Sequence, residues 1–380
     1  MNSKIKFLHV VQDDKKFFET IISKFDEDNR LENRCVMLVK DEKDAFKSII
    51  PTERITPIWN KIQMENVFSK SDYDILFLFS FCPHLWNILN YVPDDKIVIW
   101  WAWGCDLYDT SFVQTSQLIP VKLYKPLTNK IFRSQKGCKY QLKQILKQFI
   151  RPFFLEKKRK VLSRIDYFQP VILEDYLLMK KKYKELKAGE FYFPNSTADF
   201  DEEKLEEKKP YGNILFGNSA SYSNNHLDTW NLIKDYIGKS QQIIIPLNYG
   251  DKDYARIVSE NMSGENINIL QNFLDLNSYH TLIDTCSYFV CGVLRQQSIG
   301  NILFCIKKGM KIFLYKDSVV YNYLIKMGIV VYAIEDIDSE SFITPLPLSI
   351  AVQNCRVYNQ ESKRRKNIYE DFILHFKDSM

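Results

Sequence analysis

Three loops in the second half of the sequence carry residue types that can bind a diphosphate. The first lies in Ile214–His226, which reads as a short apolar strand that breaks into small polar residues and then opens a helix. Glycine lets the backbone approach a ligand closely, and the amides and dipole of a helix's first turn favour an anion. We therefore predict a nucleotide-sugar diphosphate site that includes Gly217, Asn218, Ser219, Asn225 and His226. His226 could bridge the diphosphate or act as an acid, or simply begin the helix and bond to the backbone.

The other two loops also follow predicted strands. Arg295, Gln296 and Gln297 come shortly after the predicted strand Tyr288–Cys291, and Gly300 directly precedes a predicted helix. Arginine binds a diphosphate in a bidentate manner, and amide side chains can serve sugar hydroxyls or a base edge. In the third loop, Pro246 is followed by Tyr249, which could stack or form a hydrogen bond. Each loop alone is a weak signal, but all three are expected at one edge of one sheet.

A carboxylate in the first half is placed for proton transfer. Asp106 follows the predicted strand Ile97–Trp101, at the edge where α/β sheets bind ligands. If Trp101 and Trp103 exclude water, the pKa of Asp106 rises, which suits a general base near neutral pH. The alternative is that Asp106 caps a helix, and the two roles are compatible. Asp13, after the first strand, is the second candidate for the base.

The elements that position these residues alternate between short apolar runs and helical segments. This pattern predicts parallel sheets that are covered on both faces, and so an α/β protein with two doubly wound, Rossmann-like domains. A chain of 380 residues also exceeds the size of most single cores. We predict an N-terminal domain over 1–200, a linker in the acidic run 195–210, a C-terminal domain over 210–355 and a closing helix over 356–380.

The segment 121–164 is strongly basic, with fourteen Lys or Arg residues and the single acid Glu156. Apolar residues within 139–151 recur with helical spacing beside a row of cations, and Pro152 is expected to end this helix. A basic amphipathic helix suits an anionic membrane surface, although it could instead pack on its own domain or, less plausibly without a motif, contact nucleic acid. The predicted membrane-binding residues are Lys139, Lys143, Lys147, Arg151, Lys157, Lys158, Arg159 and Lys160.

Other features argue against several protein classes. The eight cysteines form no C-x-x-C pair, which predicts free thiols in a reducing compartment. The start of the chain lacks a signal-peptide pattern. The longest apolar run, 75–89, is interrupted by Pro83 and His84, so no transmembrane helix is expected. Acidic pairs such as Asp251 with Asp253 come without supporting ligands, so no metal or other cofactor is expected.

Several of these motifs occur together in one known family. Trp103–Tyr108, Tyr192–Pro194, Gly217–Ser219 with Asn225 and His226, Pro246 with Tyr249, and Arg295–Gly300 follow one another in the same order. Together they resemble the bacterial lipid-linked 4-acetamido-4,6-dideoxygalactose (Fuc4NAc) transferases of enterobacterial common antigen assembly, a family also labelled 4-alpha-L-fucosyltransferase. The likeness extends from Phe7 to about Tyr321. Residues from about Gln135 to Lys158 resemble an insertion, and Val10–Asp14 lacks the glycine expected after the first strand.

The resemblance implies a GT-B glycosyltransferase whose two Rossmann-like domains face each other across a cleft. It further implies a dTDP-sugar donor on the C-terminal domain, a lipid-linked glycan acceptor on the N-terminal domain, and no bound metal. We therefore predict a peripheral enzyme at the cytoplasmic face of the bacterial inner membrane that transfers a deoxyhexose to a lipid-linked oligosaccharide for surface polysaccharide. The alternatives are a sugar-nucleotide epimerase of similar fold and a non-catalytic membrane-surface protein that senses sugar nucleotides. The sequence leaves open the sugar, the acceptor glycan, the stereochemical course and the oligomeric state.

Overall fold

The structure is a computed structural model that describes residues 4–11, 13, 15–41, 53–81, 83–108, 118–119, 121–193 and 200–379, with backbone alone for 15–20, 83–84, 137–155, 276 and 379. The chain forms two compact units. The first comprises 1–119, 144–197 and 363–380, and the second comprises 120–143 and 198–362.

The first unit contains a seven-stranded parallel sheet. Its strands are β1 (Ile5–Val11), β2 (Leu31–Leu38), β3 (Ile55–Ile58), β4 (Ile75–Phe79), β5 (Ile97–Trp101), β6 (Tyr167–Gln169) and β7 (Gly189–Glu190). They lie in the order β3-β2-β1-β4-β5-β6-β7.

The second unit contains a six-stranded parallel sheet. Its strands are β8 (Asn213–Phe216), β9 (Ile243–Pro246), β10 (Ile267–Leu270), β11 (Cys286–Cys291), β12 (Lys311–Leu314) and β13 (Tyr332–Ala333). They lie in the order β10-β9-β8-β11-β12-β13. The predicted pair of doubly wound α/β sheets is therefore confirmed.

The described α-helices connect and flank these strands. They are α1 (Lys15–Glu27), α2 (Lys61–Met64), α3 (Gly104–Tyr108), α4 (Pro126–Ser163), α5 (Leu173–Lys182), α6 (His226–Ile233), α7 (Lys252–Asn261), α8 (Leu276–Asp284), α9 (Ile299–Lys307), α10 (Val319–Met327) and α11 (Leu348–Ser379). In the part of the chain that the structure describes, no helix is both long and apolar enough to cross a membrane.

The strand order reverses once in each sheet, between β1 and β4 and between β8 and β11. In open parallel sheets the chain departs in opposite directions from such a pair of strands, which leaves a crevice beyond their carboxyl ends. Asp13 follows β1, and the loop that begins at Gly217 follows β8. Residues of both predicted sites thus follow strands at these two reversal points.

Apolar strands supply the cores, as expected for sheets covered on both faces. Every residue of β4 is buried, and so is every residue of β11. In the first unit, Phe25 and Phe193 stack with ring centroids 3.5 Å apart. The six cysteines whose side chains are described are free thiols, and all but Cys105 are buried.

The structure differs from the sequence-based prediction in two helices and one strand. The expected stop at Pro152 is wrong, because α4 runs without a break from Pro126 to Ser163. The C-terminal helix begins at Leu348 rather than after Cys355. The short strand β3 was not predicted; it contains Pro57 and lies at the edge of its sheet, where a missing amide donor is tolerated.

Candidate functional site

The loop after β8 turns on a glycine that no other residue can replace without strain. Gly217 has a φ of 70°, and its amide donates to Val290 O at 2.8 Å, which ties the turn to β11. A Cβ at this position would lie 2.4 Å from Nε2 of His226. The left-handed backbone and the close imidazole both require glycine here.

Side-chain amides hold the rest of this loop in shape. Asn224 Oδ1 accepts from the Asn218 amide at 3.2 Å, and its Nδ2 donates to Ser219 O at 3.1 Å. Asn224 and Ser219 are both buried. The loop is therefore fixed by its own residues before any ligand binds.

Asn225 joins this loop to the loop after β11. Its Nδ2 donates to Gly292 O at 2.7 Å, and its Oδ1 accepts from the Lys125 amide at 2.7 Å. A Cβ on Gly292 would lie 2.4 Å from Asn224 O, so the two loops are in direct backbone contact. Ser223 Oγ adds a second link by donating to Gln297 Oε1 at 2.5 Å.

The loop after β9 joins the same group. The Ala220 amide donates to Tyr249 O at 2.7 Å, and the Asp251 amide donates to Ala220 O at 2.8 Å. Gly250, with a φ of 122°, allows this approach, since a Cβ there would lie 2.5 Å from Ala220 O. The Tyr249 side chain is 77% exposed and Pro246 ends β9. The structure therefore brings together the three loops that the sequence analysis selected.

Polar groups with anion-binding character line the β11 loop. Arg295 is half-buried and its Nη1 donates to Gln296 O at 2.8 Å. Gln296 Oε1 and Ser298 Oγ are buried and have no hydrogen-bond partner among the described atoms. Buried polar atoms are normally paired, so a bound molecule is one way to satisfy them.

Two helices begin at these loops. The N-cap residues of α6 and α9 are Asn225 and Ser298, both in the left-handed region, and neither side chain caps its helix. The first-turn amides therefore do not bond to these side chains. Gly300, in the first turn of α9, is exposed, and a Cβ there would meet nothing within 4 Å. A helix start of this kind favours negative charge.

His226 lies beneath the loop and is fully buried. Its Nδ1 and its backbone amide both face Tyr254 Oη, at 3.3 and 3.2 Å. Burial lowers the pKa of His226 to about 3. An imidazole that stays neutral in this way offers no positive charge to a diphosphate, so the contacts of His226 fit the helix-start alternative.

Asp106 lies in a pocket of hydrogen-bond donors in the first unit. Its Oδ2 accepts from Phe81 N at 3.0 Å, Trp100 Nε1 at 3.1 Å and Trp103 N at 3.0 Å. Its Oδ1 accepts from Ser80 Oγ and from Cys105 Sγ. These bonds tie the end of β4 to the end of β5 and the start of α3.

Burial raises the pKa of Asp106, as the sequence analysis predicted, and hydrogen bonds from Ser80 and from the Trp103 amide offset part of the rise. The side chain is only 5% exposed and both oxygens are engaged. Asp13, by contrast, is half-buried at the end of β1. The general-base role of either residue remains a prediction.

The predicted membrane-binding residues fall into two groups. The side chains of Lys139, Lys143, Lys147 and Arg151 lie outside the described residues. Among the others, Lys157, Arg159 and Lys160 are exposed, whereas Lys158 is only 2% exposed and faces the protein interior. Arg159 Nε lies 3.2 Å from Glu185 Oε1.

Sequence reasoning missed several residues that support the β8 loop. Lys125 and Gly292 hold Asn225, Tyr254 holds His226, and Asp228 accepts from the Leu127 and Thr128 amides. Gly292 follows a predicted strand directly, which is a signal that was available. No local sequence signal indicated Lys125 or Asp228, because their hydrogen-bond partners are about a hundred residues away in the chain. Among the described residues, no group of three His, Cys, Asp or Glu could hold a metal ion.

Residues 171–346, which include the whole second sheet, match the family model described as 4-alpha-L-fucosyltransferase glycosyl transferase group 56. This part of the chain, a little under half of its length, is similar to that glycosyltransferase family. The match supports the transferase over the epimerase and the sensor.

Solved structures extend the likeness to nearly the whole chain. A Burkholderia vietnamiensis alpha,alpha-trehalose-phosphate synthase (UDP-forming) aligns with a TM-score of 0.59 at 7% identity, covering 99% of this chain and 100% of that one. An E. coli structure described as trehalose-6-phosphate bound with UDP-2-fluoro glucose aligns with a TM-score of 0.57 at 9% identity, covering 98% and 99%. WaaG, a glycosyltransferase involved in lipopolysaccharide biosynthesis, aligns with a TM-score of 0.55 at 10% identity, covering 97% and 98%. The fold is GT-B, which confirms the predicted fold class.

Proposed function

We propose that this glycosyltransferase moves a Fuc4NAc- or fucose-like deoxyhexose from a nucleotide diphosphate, dTDP in the first instance, to a lipid-linked oligosaccharide in bacterial surface polysaccharide synthesis. The observation that carries the proposal is the joining of three loops beyond the carboxyl ends of β8, β9 and β11. They meet at the point where the strand order reverses, which is where such sheets bind nucleotides. The family match over 171–346 supplies the reaction class.

Bond changes in this reaction define what the donor loops must do. A hydroxyl oxygen of the acceptor forms a bond to the anomeric carbon, the bond from that carbon to the diphosphate oxygen breaks, and the hydroxyl proton passes to a base. Negative charge therefore grows on the leaving diphosphate. Arg295 and the first-turn amides of α9 are our assignment for stabilising it, since preorganised donors at developing charge are usually the largest catalytic contribution.

Asn218, Ser219, Gln296, Gln297 and Tyr249 are assigned to the sugar and the base of the donor. Gln296 is the residue with a buried oxygen still to be satisfied, and Tyr249 is exposed enough to stack on a ring. This division leaves Gly300, where a Cβ would meet nothing within 4 Å, to let the ligand approach the backbone, and Gly217 to form the turn.

On the acceptor side we assign the general base to Asp13 and a positioning role to Asp106. A base must come within hydrogen-bond distance of the acceptor hydroxyl, so its side chain has to be accessible to the acceptor. The Asp106 oxygens already accept from five donors, whereas Asp13 is the more exposed carboxylate at the strand-order reversal of the first sheet. This reverses the preference that the sequence alone gave.

Peripheral membrane association at the cytoplasmic face of the inner membrane completes the proposal. Fourteen cations in 121–164, most of them on the single helix α4, suit the headgroups of anionic lipids. An acceptor that is anchored in the membrane would require the enzyme to work at that surface.

A thermal-shift panel of dTDP, UDP and GDP tests the donor. A ligand that binds the folded protein raises the unfolding temperature by mass action, and dTDP is expected to raise it most. A larger shift with UDP or GDP would replace the dTDP assignment. No shift with any of the three would contradict the nucleotide-binding role of the second unit.

Arg295→Ala tests the diphosphate assignment. Release of nucleoside diphosphate is expected to fall by at least about a hundredfold, the usual effect of losing one charge-stabilising donor. The matched control is Arg256→Ala, because Arg256 lies on α7 and pairs with Glu260 on the protein surface. Equal turnover in the two variants would overturn the assignment.

A further inference from the structure

The first unit contains a cavity of about 520 Å³ that no part of the proposed reaction uses. It lies between the 3-10 helix Pro83–Asn90, the turn before β5 and the last turns of α4. Val92 precedes β5 and Arg164 precedes β6 in this parallel sheet, so the cavity is at the amino-terminal edge. Asp13 and Asp106 follow strands at the opposite edge.

One wall of the cavity is apolar. Trp86, Leu89, Val92 and Val161 line it. The indole Nε1 of Trp86 donates to Phe81 O at 3.1 Å, so the polar atom of this side chain is already satisfied. Trp86, Val92 and Val161 are buried and Leu89 is half-buried, so a hydrocarbon would meet Leu89 and the edges of the other three side chains.

The other wall is cationic and only partly neutralised. Lys157, Lys160 and Arg164 line it, and Asp94 is the one acid among the lining residues. Asp94 is fully exposed, and its Oδ1 is 4.0 Å from Arg164 Nε, beyond hydrogen-bond distance. Lys160 forms no ion pair with any described residue, and Lys157 Nζ donates to the neutral Asn87 Oδ1 at 2.7 Å.

Arg164 is held in a fixed orientation by its two terminal nitrogens, and its Nε–H has no acceptor among the described atoms. Its Nη2 donates to Pro93 O at 2.7 Å and to Lys96 O at 2.8 Å, while Nη1 reaches Asp166 Oδ2 at 3.1 Å. Its Nε is buried and has no hydrogen-bond partner among the described atoms. A buried guanidinium N–H without an acceptor is costly, and a phosphate oxygen is well suited to accept from it.

We propose that this cavity binds the phosphate headgroup of an anionic membrane phospholipid. The phosphate would lie against Lys157, Lys160 and Arg164, and the first part of the hydrocarbon would lie against Trp86, Leu89 and Val92. The volume is in the range of small-molecule sites. A free phosphate ion would use the cations but not the apolar wall, and the cavity lies on the same helix as the predicted membrane segment. The inference rests on the proposed membrane association and assigns it a specific lipid site.

Two kinds of variant separate a lipid site from general surface attraction. Lys157→Gln/Lys160→Gln removes two charges from the cavity, and Lys181→Gln/Lys184→Gln removes two exposed charges elsewhere in the same unit. Leu89→Trp fills the cavity and leaves every charge in place. Asn90→Trp, at an exposed lining position, is the second filling variant if Leu89→Trp lowers the unfolding temperature without lipid.

The measurements are cosedimentation with vesicles that contain phosphatidylglycerol, with phosphatidylcholine vesicles as reference, and thermal shifts with monomeric dihexanoyl-phosphatidylglycerol or inorganic phosphate. We expect vesicle binding about 25-fold weaker in Lys157→Gln/Lys160→Gln, at about fivefold for each cation near an anionic surface. Vesicle binding by the control Lys181→Gln/Lys184→Gln should be at most about fivefold weaker than that of the wild type. We expect the short-chain lipid to stabilise the wild type but not the filled variant.

Each contrary result has a distinct meaning. If the filled variant binds vesicles and short-chain lipid as the wild type does, the cavity inference is overturned while membrane association stands. Suppose that the wild type does not bind vesicles, while the short-chain lipid stabilises the wild type but not the filled variant. The proposed membrane association is then contradicted, while the lipid site stands. Equal stabilisation by inorganic phosphate and by the short-chain lipid would identify a free-phosphate site and overturn the lipid assignment.

Discussion

Asn225 Nδ2 donates a 2.7 Å hydrogen bond to the carbonyl oxygen of Gly292, which links the loops on either side of the strand-order reversal in the second sheet. The same side chain accepts from the Lys125 amide and donates to Leu123 O. One amide therefore sets the spacing of these two loops and of the segment that leads into α4. Asn225 has a φ of 50°, a conformation that asparagine and glycine tolerate best.

Asn225→Ala should destabilise the second unit by about 2–4 kcal/mol, because it removes these bonds and places alanine in a left-handed conformation. Asn225→Gly keeps the backbone freedom and loses only the bridge, so it should fall between alanine and wild type. Urea unfolding gives the free energies, and the KM for the donor should rise in both variants. An unfolding midpoint in Asn225→Ala equal to that of the wild type would contradict this role.

The loops after β8, β9 and β11 could be selected from the sequence because their signals are local. An apolar strand followed by Gly217, or followed by Arg295 and then a helix, is readable within about ten residues. The bridges could not be predicted, since Lys125 and Asn225 are brought together only by the fold. The continuation of α4 through Pro152 was also unreadable, because a proline is expected to end a helix unless tertiary packing outweighs its cost.

Gly217→Ala should lower both stability and donor affinity. The left-handed backbone costs about 1–2 kcal/mol for a residue with a Cβ, and that Cβ would lie 2.4 Å from His226 Nε2. Gly300→Ala is the matched comparison for stability, because its Cβ meets nothing and alanine favours a helix by about 0.5–1 kcal/mol. Thermal unfolding should therefore move in opposite directions. A stable Gly217→Ala protein would show that the loop is not constrained as described.

Asp106→Asn and Asp13→Asn should have different consequences. In Asp106→Asn an amide NH2 faces groups that already donate, such as Phe81 N and Trp103 N, so stability should fall by about 1–3 kcal/mol for each buried group left unpaired. Asp13→Asn should lower kcat by about a hundredfold or more, the usual contribution of a general base. Urea unfolding and turnover are measured on both proteins. A stable but inactive Asp106→Asn would return the base to Asp106.

Two buried histidines should make the protein acid-sensitive. Burial lowers the pKa of His9 to about 4 and that of His226 to about 3, against about 6.5 in the unfolded chain. Both histidines are neutral in the folded protein, so their contribution to the free energy of unfolding is fully present above pH 6.5. It is lost as the pH falls from about 6.5 towards these values, because only the unfolded chain takes up the proton. Between pH 7 and pH 5 the free energy of unfolding should fall by about 2 kcal/mol for each histidine.

His9→Phe isolates the first of these contributions. His9 lies among aromatic rings, with Phe25 at 4.6 Å and Phe77 at 5.6 Å between centroids, so phenylalanine should fit the site. The variant loses the 2.9 Å bond from Nε2 to Asn33 and should be slightly less stable at pH 7. Its free energy of unfolding should fall less than that of the wild type between pH 7 and pH 5, by about 2 kcal/mol. If His9→Phe lost stability as steeply as the wild type over this range, His9 would not be the group that takes up the proton on unfolding.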